Sequence, residues 1–233
     1  AERPMEEMKA NVLNVDEFSG YEEMLLSDEW FAGGVTYGKE AAVYSMKLHE
    51  HDKYNGSLRA NKSFFAFGNK IICLGSDLEN SLEGSELHTT LFQNWLPEQV
   101  ENSVTEHNNA LTILNDIQGN TYFVKDAEVV VKSGLQHSYH EETDAPTEGY
   151  FEKAYIRHGK DRYEYLAVIQ PSEAQKSAYT AEVPYVVERC DSTAHIIYDM
   201  ESGLKGCAAF EKTAIDENIL STTPSVLIYK VSN

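Results

Sequence analysis

The chain has 233 residues, of which 42% are hydrophobic and 11% aromatic, enough for one large all-β domain or two small ones and too apolar for intrinsic disorder. With 19 Lys and Arg against 38 Asp and Glu, its net charge of −19 excludes a nucleic-acid binder, which needs a basic footprint, and repels acidic polymers at long range. No apolar run approaches the roughly 18 residues of a membrane span.

Residues 1–29 are acidic, and Met5, Met8, Val12, Leu13 and Val15 support at most a short helix, so this segment reads as a lead-in or linker. The opening Ala1-Glu2-Arg3-Pro4 does not begin a signal peptide, and a mature fragment starting inside a longer precursor would look the same. From residue 30 onward the pattern predicts short strands over 30–37, 40–48, 63–67, 70–74 and 87–95. Gly33-Gly34, Asn55-Gly56 and Gly68-Asn69 supply turns among them. Further strands are expected over 120–125, 127–132, 149–157, 162–169, 183–189, 195–198, 205–210 and 225–231. Only 171–181, with Glu173, Ala174, Gln175 and Lys176, reads as a helix. A dozen or more strands in a chain with 14 Tyr and 9 Phe predicts an all-β fold, a large antiparallel multi-strand β-sandwich over residues 30–233.

Three cysteines are too few for a disulfide scaffold. Cys73, inside Ile71-Ile72-Cys73-Leu74, reads as a buried small hydrophobe, while Cys190 and Cys207 could pair. Trp30 and Trp95 each sit in an apolar strand and are expected in the core rather than stacked on sugar. No nucleophile elbow, phosphate loop, dinucleotide fingerprint or Cys-x-x-Cys pair is present.

The most unusual local sequence is Lys47-Leu48-His49-Glu50-His51-Asp52-Lys53-Tyr54. Strand alternation would put His49 and His51 on one face and Glu50 and Asp52 on the other. Two imidazoles on one face open three readings: metal ligands, a solvated strand end, or a polar active-site rim. A cupin-like metal site also needs a downstream Glu and a third His after a Gly-rich strand, and that arrangement is missing, so no metal and no cofactor is expected. From Lys47 to Lys70, five basic residues face two acidic ones. Such a basic edge can meet an anionic sugar because salt screens the distant charge over roughly 8 Å. Lysines flanking hairpin turns explain the same pattern without any ligand.

The run 60–76, Ala-Asn-Lys-Ser-Phe-Phe-Ala-Phe-Gly-Asn-Lys-Ile-Ile-Cys-Leu-Gly-Ser, followed by Thr89-Thr90-Leu91-Phe92-Gln93, resembles the central β-sandwich domain of polysaccharide lyase family 8. Trp30-Phe31-Ala32-Gly33-Gly34-Val35, Pro146-Thr147-Glu148-Gly149 and Tyr163-Glu164-Tyr165 resemble its chondroitin sulfate ABC lyase branch. The resemblance runs roughly over residues 28–231. It implies a secreted or periplasmic enzyme that cleaves chondroitin and dermatan sulfates, sometimes hyaluronan, by β-elimination at the uronic acid. That chemistry needs the uronate carboxylate neutralised, the C5 proton abstracted and O4 protonated. The family takes its His, Tyr and Arg for these steps from a helical domain, which this chain lacks, and this branch adds a Glu from the sandwich. Glu50 is the matching residue, with Asp52 the second choice, and Lys53 and Arg59 are the side chains placed to bind the anionic substrate. The isolated chain is then expected to be inactive. A non-catalytic carbohydrate-binding or structural module is the alternative reading.

Overall fold

The computed structural model describes residues 27–52, 57–139 and 145–231. Nine antiparallel strands form one sheet: β1 (Ala32–Tyr37), β2 (Ala41–His49), β3 (Arg59–Phe67), β4 (Lys70–Glu79), β5 (His88–Trp95), β6 (Ser103–Asn115), β7 (Thr121–Tyr139), β8 (Pro146–Arg157) and β9 (Tyr163–Val168). Their order is β1-β2-β3-β4-β9-β7-β8-β5, with β6 paired to β7. After helix α1 (Glu173–Ala181), strands β10 (Tyr185–Cys190), β11 (Ala194–Asp199), β12 (Leu204–Ala209) and β15 (Ser225–Lys230) form a four-stranded sheet. The short pair β13 (Thr213–Ala214) and β14 (Leu220–Ser221) stands apart.

Side-chain alternation explains the layers. On β3 and β4, Phe65, Phe67, Ile72 and Leu74 face the four-stranded sheet and pack with Ile197 and Leu204, while Phe64, Ile71 and Cys73 face the other way. The central strands are thus buried on both faces, which is why their sequences read as nearly continuous apolar runs. On the far face the sheet bends over itself, bringing Phe92 of β5 and Ile156 of β8 against Tyr163 and Tyr165 of β9. The bend is made in β7. Its residues 121–125 pair with β9 and its residues 128–139 with β8, and Asp126 between them takes a positive φ of 46°. Sequence reading divides this strand in two at the same place, for that reason.

Polar groups join the two sheets. His195 of β11, fully buried, places Nδ1 2.8 Å from Ser63 Oγ of β3 and Nε2 2.9 Å from Ser76 Oγ of β4. The Ser76 hydroxyl donates its only proton to the Asp191 carbonyl (2.9 Å), so Nε2–H donates to Ser76 and Nδ1 accepts from Ser63. Ser45 of β2 extends the chain, 2.9 Å from Ser63. Nearby, the buried Lys70 ammonium donates to Asp199 and to Glu201, both at 2.5 Å, and Tyr179 of α1 donates to Glu201. Burial alone would push the Lys70 pKa down, but the two carboxylates overcome it and raise it.

Helix α1 starts at Ser172, whose hydroxyl accepts from Gln175 N–H while the Gln175 side chain accepts from Ser172 N–H. The helix thus begins one residue after Pro171 and within the expected segment. β6 is missing from the sequence reading because nine of its first ten positions are exposed or polar and show no alternation, Glu106-His107-Asn108-Asn109 above all. The lead-in expected over 1–29 lies outside the described residues up to residue 26.

Three expectations are corrected. Trp30 is 77% and Trp95 61% exposed, so neither is a core residue. Phe31 takes the packed position beside Trp30, edge-on to Phe210, and Trp95 ends the edge strand β5 on its outward side. Cys190 and Cys207 are free, because β11 lies between their strands and they serve different cores, Cys190 between the sheets and Cys207 on the outer face under Ile215. Cys73 is buried as read, and burial pushes its thiol up to about 12. Finally, Lys70 belongs to the buried ion pair and not to a basic edge.

Two outcomes follow for stability. Burial pushes the His195 pKa down to about 3, so the folded state resists a proton that the unfolded state binds below about pH 6.5. The contribution is complete above that pH and is lost as pH falls toward 3. Urea unfolding of His195→Gln should show a weaker protein at pH 7 whose stability falls less steeply between pH 6 and 4, by about 1.4 kcal/mol per pH unit. An unchanged slope would remove His195 from the acid response. Lys70→Met should cost about 3–5 kcal/mol by leaving Asp199 buried and unpaired, and adding Asp199→Asn should recover part of that loss.

Candidate functional site

β2 and β3 pair up to His49 and Arg59, and the chain between them forms the loop singled out by its His, Glu and Asp residues. β2 ends at His49, so strand alternation does not continue through Glu50, His51 and Asp52. The His49 ring, nearly buried, bonds the Asp28 carboxylate, which that contact holds below the usual carboxylate range. Among the described residues no group of three or more His, Cys, Asp or Glu side chains is placed to hold a metal ion.

Glu50 closes the loop. Its N–H donates to the Leu58 carbonyl (2.8 Å), and its carboxylate accepts the N–H groups of Ser57 (3.2 Å) and Leu58 (3.4 Å). One charged side chain therefore fixes both ends of the segment, with the carboxylate itself half-buried at the base of the loop. Asp52 and Arg59 are exposed, and Lys53 lies outside the described residues. The expected basic edge is divided by the pleat. Lys47 pairs with Asn61 and His49 with Arg59 on one face, while Lys62 pairs with Met46 on the other and lies 5.8 Å over the Phe64 ring.

The loop connects onward to a polar cleft. Ser57 donates to the Asn80 side chain (3.2 Å), and Asn80 donates in turn to the Ser85 carbonyl (3.0 Å). Asn80 and Ser85 line a cleft of about 530 Å³ together with Glu86, Arg157, His158 and Asp161. His158 lies 2.7 Å from the Thr89 hydroxyl and 5.3 Å from the Tyr163 ring, and burial holds its imidazole neutral, with a pKa pushed down to about 3. Arg157 is gripped by Glu128 (2.5 Å), Glu106 (3.2 Å) and Glu86 (3.4 Å). His88 bonds Glu86 at 2.8 Å and stacks on Tyr155. Sequence reading missed this cluster. Its signal was the basic pair Arg157-His158 at a strand end, level with Leu87-His88 once β5 and β8 pair.

The loop carboxylate is held in place by two backbone donors and remains half-exposed at the loop base. The cleft supplies a neutral imidazole and a guanidinium already neutralised by three carboxylates, which suits hydrogen bonding more than recognition of an anion.

Comparison with known proteins bears on these features. Residues 5–180 match the sequence profile of the polysaccharide lyase family 8 super-sandwich domain. The chain is 38% identical over 213 residues to a chondroitin sulfate ABC exolyase of Bacteroides thetaiotaomicron, covering 89% of this chain and 21% of that protein. It is 35% identical over 252 aligned positions to a chondroitin sulfate ABC exolyase of Proteus vulgaris, covering 99% of this chain and 24% of that protein. It therefore spans less than a quarter of the length of either relative. Among solved structures, a Streptomyces coelicolor chondroitin AC lyase superposes with a TM-score of 0.69 at 17% identity over 86% of this chain and 27% of the other. A Paenibacillus xanthan lyase superposes at 0.65 over 90% of this chain and 23% of the other. The profile match, the two ABC exolyase relatives and the bent antiparallel sandwich agree: this chain belongs to polysaccharide lyase family 8, as its super-sandwich domain.

Proposed function

We propose that the chain is the β-sandwich domain of a periplasmic or secreted glycosaminoglycan lyase that cleaves chondroitin and dermatan sulfates by β-elimination. The observation that carries this reading is the 38% identity over nearly the whole chain to a chondroitin sulfate ABC exolyase. In this role the domain walls one side of the substrate cleft, and a helical domain of the same parent brings the His, Tyr and Arg.

The reaction asks for charge control more than for new bonds to the protein. Neutralising the uronate carboxylate acidifies the C5 proton, a base removes it, and an acid protonates O4 as the bond to it breaks. Glu50 is the sandwich's contribution. Its carboxylate is already anchored by the Ser57 and Leu58 N–H groups, so it meets an Arg or Tyr from the helical domain without first ordering itself. Glu50 thus acts as a positioning residue, and Arg59 at the start of β3 is a cation for the anionic polymer, as Lys53 is by its place in the sequence.

The isolated chain should produce no unsaturated uronate, read by ultraviolet absorbance during incubation with chondroitin sulfate. Substantial product from it alone would overturn the division of labour between domains. In the parent enzyme, Glu50→Gln keeps an oxygen to accept the loop N–H groups but removes the charge. It should cut kcat by about two to three orders of magnitude with little change in KM, corresponding to roughly 2.7–4 kcal/mol. Asp52→Asn should do little. A large loss for Asp52→Asn with none for Glu50→Gln would move the positioning role by two residues. Chelator should leave the thermal midpoint of the chain where it was; a large drop would point back to His49 and His51 as ligands.

A further inference from the structure

Strands β5, β8, β7 and β6 stand side by side, and residues paired across them share a face. The face opposite the Val129, Ala154 and Ile156 core carries Trp95 paired with Phe151, and in the next row Gln93, Lys153 and Lys132 paired in line. Trp95 is 61% exposed. Phe151 is half-buried and its ring leans over Gly149, where a Cβ would meet it at 2.9 Å, while Gly134 pairs with Phe151 across the strand. The exposed Trp95 and the half-buried Phe151 thus stand on the same face of paired strands and together offer an aromatic platform.

The lysine row beside it is electrostatically unsettled. Lys153 and Lys132 are directly opposite each other, a like-charge pairing that destabilises a sheet. Neither makes an ion pair among the described residues, and Lys132 lies instead 5.6 Å over the Tyr155 ring. Glu86, Glu106 and Glu128 converge instead on Arg157, four residues or about 14 Å along β8 from Lys153. Glu86 also feels Lys132, though its carboxyl is held down chiefly by His88. Gln93 and Gln136 bond each other at 3.3 Å and add neutral donors and acceptors to the same face. On a chain of net charge −19, a cation pair set beside the exposed Trp95 and the half-buried Phe151 matches a ligand that brings its own anions on a ring with apolar faces.

We propose that the Trp95–Phe151 platform and the Lys132–Lys153 pair form an accessory docking surface for an anionic polysaccharide, whose sugar rings stack on the aromatics while carboxylate or sulfate groups meet the lysines. The inference rests on the glycosaminoglycan reading above and places a second contact away from the Glu50 loop, since Trp95 is seven residues, or about 24 Å of strand, beyond His88 at the cleft end of β5. Spacing favours it as well. Adjacent strands are about 4.8 Å apart and successive same-face rows about 6.8 Å, so platform and lysines sit within one sugar ring of each other.

The test uses the 233-residue chain with Trp30→Phe, which leaves Trp95 as the sole indole. Chondroitin sulfate, hyaluronan and neutral dextran are titrated while Trp95 emission is followed. Chondroitin sulfate should shift Trp95 emission to the blue and dextran should not. A response to hyaluronan as well assigns the recognition to carboxylates, and none assigns it to sulfate. Lys132→Gln with Lys153→Gln should raise the Kd at least about tenfold, and Lys212→Gln, exposed elsewhere, should leave it unchanged. No Trp95 response to any anionic polymer, equal binding by dextran, or an unchanged Kd in the double lysine variant would overturn the proposal. So would emission from Trp95 in the full-length parent that is already blue-shifted and insensitive to polymer, because another domain would then cover the face. Binding is read here without turnover, so failure at this face with the kcat loss of Glu50→Gln intact would sink this inference alone.

Discussion

The seam between the two sheets is the constraint on which the rest of the molecule depends. An apolar interior gives no orientation to a polar group, and every buried donor or acceptor left without a partner costs about as much as a large core truncation. His195, Ser63, Ser76 and Ser45 satisfy one another only when β11 lies across β3 and β4 in one register. Lys70, Asp199 and Glu201 impose a second condition a few residues away, and Tyr179 brings α1 into it. Hydrophobic burial holds the sheets together, but it tolerates sliding. The polar groups do not.

This seam also sets where the candidate site stands. Ser45 and Ser63 lie on β2 and β3, each four residues from the strand end that borders the Glu50 loop, so the register that the seam fixes is carried along both strands to the loop. Glu50 then fastens the loop to itself, and Ser57 fastens it to Asn80 at the rim of the cleft. Much of the sequence that carries the family resemblance proves to be this scaffolding. Ser63 and Ser76 belong to the seam, Thr89 bonds His158, and Gly75 leaves room for the Tyr163 ring, which a Cβ there would meet at 2.1 Å. The resemblance therefore reports the fold most directly, and the chemistry through it.

Charge on this domain is local. A net −19 would keep an acidic polymer away at long range, yet screening over about 8 Å lets individual cations decide at contact. The cations differ in how much of their charge is left to offer. Lys70 is spent within the seam and Arg157 on three carboxylates, whereas Lys132 and Lys153 face each other one row from the exposed Trp95. Counting basic residues along the chain cannot make this distinction.

Alternation, turn residues and composition were enough to read an antiparallel sandwich, the helix near 171–181 and the burial of Cys73, because each depends on neighbours a few residues away. The motif around Lys62-Ser63 and Thr89-Thr90 was enough to read the family. The limits of local pattern are just as specific. β6 was invisible because an edge strand exposed on both faces needs no apolar period. The two tryptophans were misplaced because an apolar neighbourhood in sequence does not say which side of an edge strand is covered, as at Trp95, or where the strand begins, as at Trp30. The division of charge between Lys62 and Arg59, the separation of Cys190 from Cys207 by β11, and the cleft around His158 were decided only by the tertiary structure. The physical reason is the same for all of them: His195 meets Ser63 across 132 residues and Lys70 meets Asp199 across 129, and nothing in the sequence near either partner encodes the other.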